Sequence, residues 1–296
     1  MNLGIYKRSF FCKNYSLRRS KYIFIPIPLE KTVTYKKGTN KAPDFILDAS
    51  YQIDYFNEIT NTLINKLPCS VLNPLDCSKT HLEVIENIFN LVKYLYSKNK
   101  FVISLGGEHS LTLGVIKGVI TNFDELTIIQ IDAHSDMRKT YMNSKLNHAC
   151  VMYNIMNLSN NINLIQIGIR SLSGEDVKNI RKFRDRIYTF WDYFDIYKKG
   201  FDFVLEQVKT LIKNKNVYLT IDVDGFNFIY SSTGTPEPGG ISYYQTIELF
   251  KVIIQNSNLI GADFVELSPI EGFHAPVFYV AKLIFNLIVL KEKKDE

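Results

Sequence analysis

The sequence predicts an α/β fold with one mainly parallel sheet. Short strands rich in β-branched and aromatic residues recur along the chain, and segments with helical spacing lie between several of them. Such alternation favours a sheet covered by helices on both faces, a three-layer α/β/α sandwich. No low-complexity linker or repeat divides the 296 residues. Because the metal-ligand candidates described below come from residues 109–224, we expect one domain to contain them.

Eight runs are predicted as the strands of this sheet. They are YIFIPIP from Tyr22, CSVLN from Cys69, FVISLGG from Phe101, LTIIQID from Leu126, INLIQIG from Ile162, RIYTF from Arg186, NVYLTID from Asn216 and GADFVEL from Gly261. Helical spacing predicts helices over 80–98, 110–121, 201–213, 243–255 and 275–290.

Three short clusters of polar residues follow apolar runs. The clusters are SLGGEHS with His109, IQIDAHSD with Asp132, His134 and Asp136, and LTIDVD with Asp222 and Asp224. Ligands of open parallel sheets bind beyond the carboxyl ends of the strands, where all three clusters lie. A spacing of two residues in an extended backbone turns side chains to the same side. We therefore expect these six side chains to form one metal site.

The residue types of this site narrow the choice of ion. Carboxylates and imidazoles without thiolates favour hard or borderline cations, and we expect a pair of Mn²⁺ ions. Such a pair lowers the pKa of a bridging water, so that a hydroxide nucleophile is available near neutral pH. Two divalent ions, four carboxylates and one hydroxide leave a net charge of about −1, which suits a cationic substrate.

The composition places further limits on function. The net charge is +5, and residues 1–21 carry no acid but several bases: Lys7, Arg8, Lys13, Arg18, Arg19 and Lys21. We interpret them as a basic N-terminal arm in solvent; a transit peptide is the alternative. A nucleic-acid patch is not expected, because aromatic and groove-reading motifs are missing. No apolar stretch is long enough to span a membrane.

The four cysteines (Cys12, Cys69, Cys77 and Cys150) form no CxxC pair and are too few for a disulfide scaffold. We interpret them as reduced thiols, which predicts a cytoplasmic protein.

Five motifs occur in the order seen in the ureohydrolases: GGEHS, DAHSDMR, LNHACVMYNI, TIDVD followed by TGTPEPGGIS, and DFVELSP. The chain resembles the agmatinase branch from about Tyr22 to Leu290. The resemblance implies an arginase-like sandwich as a single catalytic domain over 22–290, with a charged tail over 291–296. It also implies urea and an amine as products, and a homo-oligomer, either a trimer or a hexamer.

The same resemblance assigns roles to individual residues. His109, Asp132, His134, Asp136, Asp222 and Asp224 would hold two Mn²⁺ ions, and Asp136 would bridge the ions and orient the hydroxide. His148 corresponds to the histidine that relays a proton to the departing amine. Glu266 corresponds to the acid that binds the guanidinium. Asp136, His148 and Glu266 are thus the expected catalytic residues.

Agmatine, hydrolysed to putrescine and urea, is the favoured substrate. The stretch between Asp136 and His148 contains Arg138, Lys139 and Lys145 but no acid. If these cations face the pocket, they favour a guanidino acid such as arginine or guanidinobutyrate, because like charges repel. Aminopropylagmatine is a further alternative.

Two departures from the family pattern leave other functions open. Many members have Asp in place of Glu108 and Asp-Pro in place of Asn227 and Phe228. The second change removes a carboxylate and a rigid proline near the metal ligands, so a weakened enzyme or a non-catalytic metal-binding protein is one alternative. A zinc deacetylase on a related fold is another.

Overall fold

The structure is a computed structural model that describes residues 3–227 and 232–295. All eight predicted strands are present: β1 (Tyr22–Ile27), β4 (Cys69–Val71), β5 (Phe101–Gly106), β6 (Leu126–Ile131), β7 (Ile162–Ile169), β8 (Ile187–Trp191), β9 (Asn216–Asp222) and β10 (Asn258–Val265). They pair in parallel in the order β4-β1-β5-β10-β9-β6-β7-β8. A separate antiparallel hairpin, β2 (Phe56–Asn57) with β3 (Thr62–Leu63), was not predicted.

The five predicted helices are confirmed with small changes at their ends. They are α2 (His81–Tyr96), α3 (Leu111–Val119), α6 (Phe201–Ile212), α7 (Tyr243–Asn256) and α8 (Ala275–Asp295). Three further helices are α1 (Ala42–Ser50), α4 (Val151–Met156) and α5 (Gly174–Lys182), and a π-helical turn covers Asp192–Lys198. Residues 291–295, expected as a charged tail, continue α8.

The helices cover both faces of the sheet. The apolar side chains of α1, α6, α7 and α8 pack on one face, with Phe250 and Leu283 among those fully buried. Those of α2, α3 and α4 pack on the other, with Ile88 and Val115 among the buried ones. A parallel sheet buried on both faces accounts for strands that are apolar along most of their length. The predicted three-layer sandwich is confirmed.

The order of the strands places four carboxyl ends side by side. β5, β10, β9 and β6 are adjacent at the centre of the sheet. Their ends are level, because Ile131 pairs with Ile221 and Val265 pairs with Asp222. Loops that follow these strands therefore meet at one edge of the sheet.

The segment before β1 packs against the edge strand β4. Ile5 bridges to Leu72, and the Tyr15 N–H donates to the Cys69 carbonyl. Phe10 and Phe11 are buried, so the expectation of an arm surrounded by solvent is wrong for this part of the segment. The physical reason is that burying two phenyl rings outweighs the hydration of the bases on either side of them in the sequence.

The start of β1 also contacts the end of the last helix. Lys21 pairs with Glu292 and Asp295, and the Tyr22 hydroxyl donates to Glu292 at 2.7 Å. Within the described residues, no helix has the length and apolar character needed to cross a membrane.

Candidate metal centre

All six predicted ligands meet at the carboxyl edge of the central strands. His109 follows β5, the residues of DAHSD follow β6, and Asp222 and Asp224 lie at the end of β9. Two groups have ligand atoms close enough to hold an ion each: His109, Asp132 and Asp222 form one, and Asp132, His134 and Asp224 form the other.

The first group surrounds one imidazole nitrogen with acids. His109 Nδ1 lies 3.3 Å from Asp132 Oδ2, 3.1 Å from Asp136 Oδ2 and 3.5 Å from Asp222 Oδ2. This nitrogen is buried and makes no hydrogen bond. A buried, unpartnered nitrogen that faces three carboxylates fits a divalent cation, because the cation would bind all four groups at once.

The second group is centred on His134. Its Nδ1 lies 2.8 Å from Asp224 Oδ2 and 3.8 Å from Asp132 Oδ1. Asp132 is thus common to both groups and occupies the position between the two histidines. Asp136 contacts only the first histidine at this distance, so the geometry favours Asp132 as the shared ligand, and the bridging role of Asp136 stays a prediction.

Hydrogen bonds behind His109 set its tautomer. The Thr220 hydroxyl donates to Asp263 Oδ1 at 2.6 Å, so its oxygen must accept from His109 Nε2, 2.9 Å away. Asp263 is held in turn by the hydroxyls of Thr112 and Tyr218. With the proton on Nε2, the Nδ1 lone pair remains available to a metal, as is usual when a ligand histidine has a second hydrogen-bond partner.

These groups belong to a polar row, defined here as one residue from each of six neighbouring strands at the same register. The row runs Ser104, Asp263, Thr220, Gln130, Gln166 and Thr189. The Gln166 amide donates to Gln130 Oε1 at 2.8 Å, and the Gln130 amide donates to Asp132 Oδ2 at 2.7 Å. The polar row therefore orients ligands on both sides of the centre.

The acids repel one another when no ion is present. Burial, with Asp224 and Asp136 nearby, raises the pKa of Asp132 to about 7, and burial, with Asp224 and Asp132, raises that of Asp222 well above its usual value. Burial would lower the pKa of His109, but the surrounding acids hold it well above the usual range. A proton on His109 thus takes the place that a cation would fill.

His134, which is partly exposed, forms an ion pair with the buried Asp224. Burial opposes charge on both residues, yet their attraction prevails: Asp224 raises the pKa of His134 to about 11, and His134 lowers that of Asp224 to about 2. A metal at this position would replace the proton on His134.

Two carboxylates at the centre have a left-handed backbone. The φ angle is 52° at Asp136 and 62° at Glu266, a conformation that costs on the order of 1–3 kcal/mol for residues other than glycine. The Asp136 carbonyl accepts the N–H groups of Met152 and Tyr153, and the Glu266 N–H donates to the Gly107 carbonyl. These bonds fix the backbone from which both side chains reach the site.

A cleft of about 190 Å³ opens beside the ligands. Glu266 lines it and accepts the His109 N–H through Oε1 at 2.7 Å. Burial, with Glu108 nearby, raises the pKa of Glu266 to about 8. A desolvated carboxyl group at the wall of a cleft gains stability from a bound cation.

His148 lines the same cleft, and its ring is held from behind. Thr32 donates its hydroxyl to Glu108 Oε1 at 2.8 Å, so its oxygen accepts from His148 Nδ1 at 3.1 Å. Glu108 also accepts the N–H groups of Lys31 and Thr32. His148 Nε2 is therefore the ring nitrogen that can take up a proton, and burial lowers the pKa of the ring.

The three cations near the cleft differ in position. Lys139 and Lys145 are exposed and do not line it. Arg138 does, but its Nε lies 3.4 Å from Asp176 and its guanidinium lies 4.5 Å from the Tyr141 ring centre. The positive charge of Arg138 is thus balanced at the mouth of the cleft.

Of the two residues that replace Asp-Pro, Phe228 lies outside the described residues. The Asn227 N–H donates to the Ile241 carbonyl at 3.2 Å, next to the bridge between Phe226 and Ile241. This loop end is therefore held by the backbone of residue 241 without a carboxylate at residue 227.

The metal-free protein should become less stable as pH rises from 6.5 to 8.5. Asp132 and Glu266, with pKa values of about 7 and 8, and His134, at about 11, hold protons that the unfolded chain has already released. Each group contributes at most about 1.4 kcal/mol per unit between its two pKa values. Cys12, whose pKa is lowered to about 6, acts in the opposite sense but is a single group. The lowered pKa values of His81 and His148 change the stability only below the usual histidine pKa.

Urea unfolding of metal-free protein at several pH values measures this effect. Saturating Mn²⁺ should flatten the dependence, because it replaces the protons. A stability that rises with pH over this window would contradict the proposed charge arrangement.

Thr220→Val should weaken metal binding, because His109 loses the acceptor that fixes its tautomer. We expect a loss of roughly 10- to 100-fold in Mn²⁺ affinity, measured by titration calorimetry. Thr127→Val is the matched control, since Thr127 is also buried in the sheet but its hydroxyl has no partner. Equal affinities in the two variants would rule out the role of Thr220.

The sequence is similar to known proteins along most of its length. A model of the Arginase family matches residues 20–289. An N(1)-aminopropylagmatine ureohydrolase of Synechocystis sp. is 34% identical over 284 residues, which cover 90% of this chain and 87% of the relative. An agmatinase of Pyrococcus horikoshii is 29% identical, with 92% of each chain covered.

Solved structures agree with the fold. The agmatine ureohydrolase of Thermoplasma volcanium superposes with a TM-score of 0.87 at 30% identity, covering 98% of this chain and 96% of the other. An arginase from Bacillus subtilis gives 0.75 at 23% identity, with 91% and 98% covered, and shows the fold alone. Since the family model spans most of the sequence, the chain belongs to the arginase family, and it is a ureohydrolase that acts on guanidino compounds.

Proposed function

We propose that this chain hydrolyses the guanidinium group of an aminoalkyl guanidine, agmatine or N(1)-aminopropylagmatine, to urea and the corresponding amine. The observation that carries the proposal is the single cleft in which both candidate ion-binding groups, His148 and Glu266 meet. A charged planar group that enters this cleft would have carboxylates on one side and a histidine on another.

The metal would be a pair of Mn²⁺ ions held by His109, Asp132, His134, Asp136, Asp222 and Asp224. When bound, the ions would supply a nucleophile from water at neutral pH. The donor set of carboxylates and imidazoles, without a thiolate, suits manganese better than a structural zinc site.

Glu266 would bind the guanidinium. Its carboxyl group is desolvated in the free protein, and the cation restores a charge partner, so binding would shift the carboxyl to its ionised form. The left-handed backbone and the bond to the His109 N–H fix where this carboxylate lies. A fixed carboxylate aligns the central carbon for attack from the ligand side.

His148 would carry a proton to the leaving amine. The amine departs only if its nitrogen is protonated, and a largely neutral imidazole near the ordinary pH of the cell can accept a proton and pass it on. Asp136, which also lines the cleft, would be the first acceptor of the proton from the nucleophile.

The tail of the substrate would extend toward the open mouth. Tyr141 lines this mouth, and Tyr35, 82% exposed, lines it on the solvent side. Aromatic rings of this kind bind alkylammonium groups. Because Asp176 neutralises the positive charge of Arg138, a substrate can bind at the mouth without a carboxylate of its own. The Synechocystis relative, 34% identical, is named as an N(1)-aminopropylagmatine ureohydrolase, and on this ground we favour the aminopropyl derivative over agmatine.

Two further expectations from the sequence stay predictions. These are assembly as a trimer or hexamer and a cytoplasmic location.

Urea release from a panel of guanidines tests the function. With Mn²⁺ present, kcat/KM should be at least about 10-fold higher for aminopropylagmatine and agmatine than for arginine or guanidinobutyrate, because the cleft presents carboxylates to the substrate. His148→Ala should lower kcat by roughly 10²- to 10⁴-fold, and Asp136→Asn should abolish urea release.

Other outcomes of the panel identify the alternatives. Acetate release from acetylated polyamines without urea would indicate a deacetylase. Mn²⁺ binding with every guanidine left intact would indicate a non-catalytic metal-binding protein.

Thr32→Val should lower kcat by roughly 10-fold while KM and Mn²⁺ content stay unchanged, because His148 loses the oxygen that fixes its ring. Thr32→Ser keeps the hydroxyl and is the matched control. Steady-state kinetics and metal analysis of both variants measure the effect. A parallel loss in the serine variant would show that the threonine methyl group, and not the hydrogen bond, matters.

A further inference from the structure

We propose that Cys12 and Cys69 are a dithiol pair that a small anionic disulfide converts into an intramolecular disulfide bond. The pair lies between the N-terminal segment and the edge strand β4, and the metal centre does not use it.

The backbone brings the two cysteines together through a reciprocal set of contacts. The Phe10 carbonyl accepts the Cys12 N–H at 2.6 Å, and the Cys69 thiol lies 3.6 Å from the same oxygen. The Leu67 carbonyl accepts the Cys69 N–H at 2.8 Å, and the Cys12 thiol lies 3.6 Å from it. Each thiol therefore faces the backbone that precedes the other cysteine.

The two thiols differ in reactivity. Interaction with the Cys69 thiol lowers the pKa of Cys12 to about 6, in spite of burial, while the same interaction and burial raise that of Cys69. Cys12 is the more exposed of the two, so a reagent in solvent reaches it first, and we assign it as the attacking group. Burial raises the pKa of Cys77 to about 11 and that of Cys150 to about 12, so these thiols stay protonated.

The basic residues around Cys12 favour reagents that carry negative charge. Cys12 lies in a surface groove of about 710 Å³ that is also lined by Lys13, Arg19 and Lys66. No carboxylate is among the described residues that line this groove. A patch of one sign raises the local concentration of oppositely charged molecules and speeds their association. Part of the basic N-terminal segment would therefore attract anionic disulfides to Cys12.

The exchange is balanced in atoms and electrons. The Cys12 thiolate attacks one sulfur of the disulfide RSSR, forms a mixed disulfide and expels RS⁻. The Cys69 thiol then loses its proton and attacks the Cys12 sulfur, which expels the second RS⁻. The proton that Cys12 has released to solvent and the proton of Cys69 are taken up by the two leaving groups, so two protein thiols are oxidised and RSSR is reduced to two RSH.

The pair is distant from the proposed catalytic chemistry. Cys69 pairs with Tyr22 at the amino ends of their strands, whereas the metal ligands follow carboxyl ends. Thiol readouts therefore test this inference whether or not the chain hydrolyses guanidines.

Glutathione disulfide, which is anionic, is the probe for the full-length protein. We expect two of the four thiols to disappear, a Cys12–Cys69 cross-linked peptide in the mass spectrum, and recovery of all four thiols with dithiothreitol. Four intact thiols, or a cross-link that includes Cys77 or Cys150, would overturn the proposal.

Single-site variants separate the two steps. Cys69→Ala should stop the reaction at a glutathione adduct on Cys12, and Cys12→Ser should leave all three remaining thiols unmodified. Cys77→Ser, the matched control, should form the cross-link as the parent does. An adduct on Cys69 in the Cys12→Ser variant would contradict the assignment of the attacking thiol.

Reagent charge tests the groove. The parent should react at least about 10-fold faster with glutathione disulfide than with cystamine, a cationic disulfide, after correction for their intrinsic rates. The double variant Lys13→Glu/Lys66→Glu should reverse this preference, and high salt should remove it. Equal rates for both reagents in the parent at low salt would rule out selection by the groove.

Discussion

The metal centre depends on the polar row that crosses the sheet directly beneath it. Most of these side chains are fully buried, and a buried polar group is costly unless it is hydrogen-bonded. Thr220 and Asp263 satisfy one another and fix His109, while Gln166 and Gln130 satisfy one another and fix Asp132. The ligands therefore keep their orientation even though their own charges would drive them apart.

The sheet could be predicted from the sequence, but not every helix and hairpin around it. All eight strands could be predicted because a parallel sheet buried on both faces leaves apolar, β-branched runs. Helix α5 was missed because GEDVKNIRK contains few apolar residues; its start comes from a capping box, in which the Ser173 hydroxyl and the Asp176 carboxylate exchange bonds with the backbone. The short hairpin β2–β3 has two residues per strand, too few for any periodicity.

For the site, the sequence predicted which side chains converge but not what holds them. Acids after apolar strands signal a metal centre, since their burial would otherwise be unfavourable. Thr220 and Thr32 give no such signal, because threonine is common in strands and loops and their partners are distant in sequence. A glutamine within each of two adjacent apolar strands, IIQI and LIQI, was the one sequence signal of polar side chains beneath the site. Which carboxylate lies between the histidines depends on register and could only come from coordinates.

The order of the strands also governs when the centre can exist. β9 and β10, the last two strands to be synthesised, lie between β5 and β6, which come earlier in the chain. Until they insert, His109 and Asp132 belong to separate halves of an interrupted sheet, and closing it requires contacts between residues far apart in sequence, a slow class of folding event. On the ribosome, ion uptake would thus mark completion of the core and could not guide its earlier stages.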